Sequence, residues 1–325
     1  MTLRGATGQE TQGAASAYTA LMLSPRAAAL AVLVVSAAVL GLAPILVRLA
    51  DAGPAAAAFW RLAFAVPLLL VLTARPRALG GDGEGTGRPT RWMALAALFF
   101  VLDLSFWHYG IAFTSVANAT VLTNLTPVVV TLVAWALFRE RPRALFVLAL
   151  ALALGGAFAM SAGADGRQGS NPRLGDLFAA VTALWYAGYF LTVKALRGRV
   201  SAGRIMLWTT LLGAPLLLAV SLALDERPAP ASAAGWLACA GLGRVHVIGQ
   251  GGVAWALGRL PAALTAVTVL IQPVVAAMLG WMLFAETMTA PQLLGGAAVL
   301  AGVVLAQLAS ARKKGAEAEA AAPVP

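Results

Sequence analysis

Residues 127–140 read PVVVTLVAWALFRE, and residues 273–286 read PVVAAMLGWMLFAE. The two stretches lie 146 positions apart and are identical at seven of fourteen aligned positions: Pro, Val, Val, Trp, Leu, Phe and the closing Glu. Each ends an apolar run long enough to cross a bilayer, so the chain repeats a long segment of itself. Five apolar runs fall in each half. An odd number of spans per copy obliges the two copies to run through the membrane in opposite directions.

Composition sets the class in which that duplication must be read. Hydrophobic residues make up 60% of the chain and charged residues 11%, the composition of a polytopic membrane protein. A helix rising about 1.5 Å per residue needs roughly 20 apolar residues to cross the hydrocarbon. Ten segments meet that length: 27–47, 54–73, 92–113, 116–138, 144–163, 175–195, 204–224, 233–257, 262–284 and 291–308. All are expected as helices, because a helix pairs its own backbone groups inside lipid and an open strand does not. The expected architecture is therefore an all-α integral membrane protein, ten transmembrane helices arranged as two inverted five-helix repeats. Residues 1–26 form a leader, 27–163 the first repeat, 164–174 a linker, 175–309 the second repeat, and 310–325 a disordered tail.

The net charge of +10 is a topology signal. With the N-terminus inside, the cytoplasmic connections hold the basic clusters Arg75/Arg77/Arg88/Arg91, Arg139/Arg141/Arg143, Lys194/Arg197/Arg199 and Arg312/Lys313/Lys314. The opposite side holds Arg48, Arg167, Arg173 and Arg227. The positive-inside rule then sets both termini in the cytoplasm. Nucleic-acid binding would need those charges on one folded surface, so it is set aside. Cys239 is the single cysteine, which excludes an intrachain disulfide.

Several short features resemble the EamA-type members of the drug/metabolite transporter superfamily. They are Gly41-Leu-Ala-Pro44 with Arg48 closing the first span, Arg61 in the second, and the Pro-Val-Val…Trp-x-Leu-Phe-x-x-Glu block of the fourth and ninth. Glycine-bearing helices follow each block, with Gly155-Gly156 in one half and Gly295-Gly296 and Gly302 in the other. The resemblance covers residues 27–309. It implies a carrier of the bacterial inner membrane, often an exporter of amino acids or other small metabolites. The seventh span carries no counterpart of Arg61, so Arg61 has a role in one half only.

Polar groups inside the hydrocarbon mark the candidate site, since a charge at mid-membrane costs about 2.5–3.5 kcal/mol on insertion scales. In the third span Asp103 and Trp107 share a face, and the carboxylate suits proton coupling or an amine. It could instead pair with Arg61 or Arg244. His108 lies on another edge of that helix. In the fourth span Ala117, Thr120, Asn124, Pro127 and Thr131 form a small and polar stripe. Pro127, and its repeat partner Pro273 beside Gln272, are hinge candidates that free a carbonyl one turn earlier. In the sixth span Thr182, Trp185, Tyr186 and Tyr189 share a face that suits an apolar pocket with a few directed hydrogen bonds. In the eighth, His246 and Gln250 are neighbours, and Arg244 offers a cation for a carboxylate or phosphate. Glu140 and Glu286 end their spans as structural caps or bridges.

These features exclude most alternatives. No His-Glu-x-x-His, Gly-x-Ser-x-Gly or clustered intramembrane aspartates occur, which argues against a membrane enzyme; no cofactor or metal is expected. Paired prolines in an inverted repeat argue for a carrier working by alternating access between a small-molecule cargo and the bilayer, with protons as a coupling candidate. An importer, or a carrier of nucleotide-sugar-like cargo held by Arg61 and Arg244, is the alternative within the same superfamily. A channel is the remoter one.

Overall fold

The computed structural model describes residues 25–74, 87–114, 119, 122–139, 141–162, 170–284 and 289–320. Among these residues every regular element is helical. The helices are α1 (Pro25–Leu40), α2 (Ala43–Leu49), α3 (Pro54–Ala74), α4 (Arg91–Phe113), α5 (Thr126–Phe138), α6 (Ala144–Ala162), α7 (Pro172–Leu196) and α8 (Ala202–Ala223). They continue as α9 (Ala233–Val245), a π-helical segment (His246–Gln250), α10 (Gly251–Leu257), α11 (Ala262–Val269), α12 (Ile271–Phe284) and α13 (Ala290–Ala320). Among the described residues seven stretches are long and apolar enough to cross a membrane, α1 with α2 and α11 with α12 each counting as one.

Local chemistry accounts for where the helices start. Thr90, Asn171, Ser201 and Ser232 each accept a hydrogen bond from the backbone N–H three residues on, at 3.3, 3.4, 3.4 and 3.0 Å. Each cap satisfies one of the donors that a helix start leaves orphaned. Pro54 opens α3 and Pro127 lies in the first turn of α5, where a missing N–H costs nothing.

Breaks inside apolar runs are the departures from ten smooth rods. The first run is interrupted by a turn at Gly41-Leu42, and the ninth at Leu270. In the fourth, Asn124-Leu125 form a turn, and 124 and 270 are repeat-equivalent. Pro127 and Pro273 thus stand in the first turn of the helix that follows each break, not in mid-helix as hinges within a continuous rod. The tail also differs from expectation: α13 continues to Ala320 where a disordered tail from Ser310 is expected. Its Ala, Glu and Lys content is that of a strong helix former.

Packing follows small residues. At the α6/α13 contact a Cβ built on Gly156 would come within 2.5 Å of the Gly295 carbonyl, and one on Gly295 within 2.5 Å of the Gly156 carbonyl. Two backbones meet there with no room for a side chain, the contact type that joins helices in lipid. The other pairings are α3 with α8, α3 with α9, α8 with α4, α4 with α7, and α1 and α2 with α9, the π segment and α10. α5 packs on α7 and α11, and α1 on α11 and α12. A large apolar core joins α1, α3, α4, α7, α8, α10 and α11, and a smaller one joins α6, α11, α12 and α13.

Candidate functional site

A polar cluster lies inside the larger core. α3 contributes Arg61, 4% exposed, and α4 contributes Asp103, 7% exposed. These are the buried formal charges among the described residues. No nitrogen of Arg61 lies within 4.0 Å of an Asp103 oxygen, yet each lies in the other's field, together with Tyr186 and Tyr189 of α7. Desolvating two charges is costly unless something compensates them. Here each offsets part of the other's desolvation without closing an ion pair.

The second half of the chain supplies the rest of the cluster. Tyr186 donates its hydroxyl hydrogen to Gln250 Oε1 at 3.1 Å, and Gln250 ends the π segment. His246, which opens that segment and is fully buried, has Nε2 3.0 Å from Thr210 Oγ1 of α8. Phe100 lies against both the Tyr189 ring (4.7 Å) and the His246 ring (5.2 Å), so aromatic surface encloses the polar atoms. Tyr186 and Tyr189 stack at 6.2 Å, and the Tyr189 hydroxyl meets Met206 Sδ at 3.4 Å.

The π segment explains how His246 and Gln250 both reach this interior. A π turn inserts one residue into the α ladder and frees a carbonyl, a distortion found often at functional sites. Ser36 Oγ of α1 donates to the Ile248 carbonyl at 3.4 Å. Gly249 and Gly252 admit Leu40 and Ser36 closely, a Cβ on Gly252 falling 1.9 Å from Ser36 Oγ.

Several buried nitrogens have no hydrogen-bond partner: Arg61 Nε and His246 Nδ1 in the cluster, and His108 Nε2, Asn124 Nδ2 and Trp185 Nε1 elsewhere on α4, before α5 and on α7. His108 Nδ1 lies 2.7 Å from the Leu104 carbonyl, so Nδ1 carries a proton and the neutral ring leaves Nε2 as an acceptor. Arg61 Nε, Asn124 Nδ2 and Trp185 Nε1 are donors. Unsatisfied buried polar atoms at this density are expensive in a core and mark a place where other polar groups belong.

The remaining sequence candidates are placed as follows. Trp107 is half-buried against the large core and 5.0 Å from the His108 ring. Trp185 sits between Phe99 and Phe106 on the α4/α7 contact. Thr182 and Thr131 turn their hydroxyls back to the carbonyls of Phe178 and Pro127. Gln272 is half-buried at the start of α12. Arg244 is not in the cluster: it is exposed, on the outer stripe of α9 and the π segment that also carries Leu237 (73% exposed) and Ile248 (54%). The charge facing Asp103 is Arg61, not Arg244, because a position two residues before His246 points to the opposite side of the helix. Thr120, Ala117, Glu140 and Glu286 lie outside the described residues.

Three groups were not anticipated. Thr210 partners His246 from a span with no charge to draw attention to it. Glu226 accepts hydrogen bonds from the Ala55 and Ala56 N–H groups at 3.1 and 2.9 Å and from the Tyr109 hydroxyl, capping α3 from the other half of the chain. Lys194 and Arg197 of α7 bind carbonyls at the end of α10. The repeat itself carried the signal for the last: Lys194 stands 146 residues after Arg48.

Comparison with known proteins agrees with this geometry. The EamA-like transporter family matches residues 27–162 and again 173–308, two copies offset by the same 146 residues as the quoted block. A protein of Archaeoglobus fulgidus named "Uncharacterized transporter" is 30% identical over 282 residues, 85% of this chain and 95% of its own length. A solved structure titled "Crystal structure of protein" superposes with a TM-score of 0.70 at 19% identity, covering 87% of this chain and 98% of that one; it shares the fold.

Proposed function

The chain belongs to the EamA-like transporter family of the drug/metabolite transporter superfamily, and from that premise we propose that it is a secondary carrier for a small metabolite, bound at the Arg61/Asp103 cluster. The observation that carries this reading is the origin of the cluster. Arg61 and Asp103 come from the first half, and Tyr186, Thr210, His246 and Gln250 from the second. A site built between two halves is open to one side or the other according to how the halves rock, which is alternating access.

The helix pairings support an inverted repeat. A 146-residue shift carries α3 to α8 and α4 to the α9/π/α10 run. If the halves are related by a two-fold axis, the α3/α9 contact requires an α8/α4 contact, and α1 and α2 on the α9/π/α10 run require α7 on α4. Both partners of each pair pack together. The contacts α3/α8 and α6/α13 map onto themselves under the same operation. Ten spans are then complete when α5, α6 and the α9/π/α10 run also cross the bilayer, with both termini on the cytoplasmic side of a bacterial inner membrane.

The cargo suited to this cluster is amphoteric or weakly charged, such as an amino acid or an amine. Asp103 offers a carboxylate to an ammonium or a coupled proton, Arg61 a guanidinium to a carboxylate, and the tyrosines an apolar wall. Export is the direction favoured here. Purified protein in liposomes should show saturable counterflow of one member of a labelled amino-acid and amine panel, with a rate that responds to an imposed pH gradient. Unitary currents in a planar bilayer in place of saturable exchange would overturn the carrier reading.

A further inference from the structure

The two charges of the cluster are buried with their polar ends open. Among the described residues Arg61 donates no hydrogen bond and Asp103 accepts none, although they are only 4% and 7% exposed. An amine bound at Asp103 would leave the Arg61 guanidinium buried without compensation, and a simple carboxylate at Arg61 would do the same to Asp103. A cargo that carries both charges compensates both at once.

Gln250 extends this argument to a neutral side chain. It is 3% exposed, and its Oε1 accepts from the Tyr186 hydroxyl at 3.1 Å. That bond fixes the amide the right way round, because a phenol with no other partner must donate. The Nε2 end is left with two N–H donors and, among the described residues, no acceptor for them. Tyr186 lies in the field of both Arg61 and Asp103, so it ties the open amide to the charged pair. A donor end binds only an acceptor. An ammonium ion has none to offer, whereas the carboxylate of a zwitterion does.

The repeat separates a role in the site from a role in the fold. The residues 146 positions from Tyr186 and Gln250 are Leu40 and Leu104, both buried in the large core. Those equivalent to Arg61 and Asp103 are Leu207 and Gly249. A Cβ on Gly249 would come 2.6 Å from Leu40 Cγ, so the counterpart of the Asp103/Tyr186 lobe is packed shut by an aliphatic side chain. Phe100 and His246 are also 146 apart, and their rings meet at 5.2 Å, as equivalent residues beside a two-fold axis do. A side chain that the fold of each copy requires recurs in both, as Pro127 and Pro273 do. Arg61, Asp103, Tyr186 and Gln250 do not recur, and they gather on one side of the Phe100/His246 pair.

We propose that Gln250, oriented by Tyr186, is the specificity-determining residue that selects a zwitterionic cargo over the corresponding amine, its amide N–H groups joining the Arg61 guanidinium on the cargo carboxylate while Asp103 takes the ammonium. The proposal rests on the carrier reading above. The single polar lobe holds one such cargo at a time.

Counterflow in liposomes holding the full chain tests this with matched pairs: leucine against isopentylamine and phenylalanine against phenethylamine, each amine being the amino acid without its carboxylate. In the wild type each amino acid is expected to compete at least about tenfold better than its amine, the effect of hydrogen bonds to a charged group. Gln250→Glu keeps an oxygen for Tyr186 to donate to and replaces the amide N–H groups with a second oxygen. It is expected to move the amino-acid/amine ratio about tenfold toward the amine. Gln250→Leu, which installs the side chain of the equivalent position 104, is expected to move the ratio in the same direction. A glutamine that only fastens α7 to the π segment would leave the ratio unmoved in Gln250→Glu, since Tyr186 retains its acceptor. A wild type that prefers the amines, or a ratio that stays at its wild-type value in these variants, overturns the assignment while the carrier stands. If the folded wild type exchanges no member of either pair or of the wider amino-acid and amine panel, the carrier reading of the cluster fails instead. Should Gln250→Glu not fold, Gln250→Leu decides alone, and an equal loss for amino acid and amine counts against Gln250.

Discussion

Arg61 and Asp103 are each retained in the core because the other is there. Removing one leaves a buried charge without compensation, which costs about 3 kcal/mol; removing both returns much of that. Arg61→Met and Asp103→Asn are therefore expected each to lower the melting temperature in detergent, and the double variant to recover most of the loss. All three should lack gradient-driven transport. Normal transport by Asp103→Asn would remove Asp103 from any coupling role. Tyr186→Phe removes the hydroxyl that Gln250 Oε1 accepts from and should cost about 1 kcal/mol of stability, a small shift beside its effect on cargo affinity measured by counterflow. Asp103, Tyr186, His246 and Gln250 were legible beforehand because a polar side chain in a span is conspicuous. Thr210 was not, since a threonine hydroxyl bonds as readily to its own helix's preceding carbonyl, as Thr209 does, and spacing does not tell which neighbour it faces. Arg244 misled for a related reason: charge content says that a residue is polar, and only the helix's rotation says which way it points.

At the scale of elements, helix existence followed from run length, and most helices begin and end within a few residues of where hydropathy set the apolar runs; the caps at Thr90, Ser201 and Ser232 emerge from the structure. The interruptions at Gly41-Leu42, Asn124-Leu125 and Leu270 lie just before Pro44, Pro127 and Pro273, each of which lacks an N–H and frees a carbonyl one turn earlier, whereas the π segment at His246–Gln250 is stabilised by partners from α1, α7 and α8 that no local pattern contains. The α6/α13 contact was better marked, because glycines recur in both helices. Gly295→Val places a branched side chain against the Gly156 carbonyl and the backbone N–H of Met160, neither of which can step aside. Overpacking of this kind costs about 1–3 kcal/mol, and the expected result is a lower melting temperature with the α6/α13 pair forced apart. Gly155→Ala is the control, since nothing lies within 4 Å of a Cβ there, and it should melt like the wild type.

For the whole molecule, the distribution of basic residues makes a claim that the helix packing alone does not. Packing is unchanged if the protein is turned over in the membrane, whereas Lys and Arg resist translocation. Arg199 follows α7 in a basic cluster with Lys194 and Arg197, and Arg227 lies in the connection between α8 and α9, which Glu226 fastens to α3. Both ends of α8 are thus marked, and α8 is among the helices long enough to span. With Cys239 replaced by Ala, a cysteine at Arg227 is expected to react with a membrane-impermeant maleimide applied to intact cells. A cysteine at Arg199 is expected to react only after the membrane is opened. The reverse pattern would invert the orientation and put Lys194 and Arg197, with the α10 carbonyls they bind, on the outer side. The same labelling therefore also decides on which side of the membrane the Glu226 cap of α3 lies, since Glu226 adjoins Arg227 in the chain.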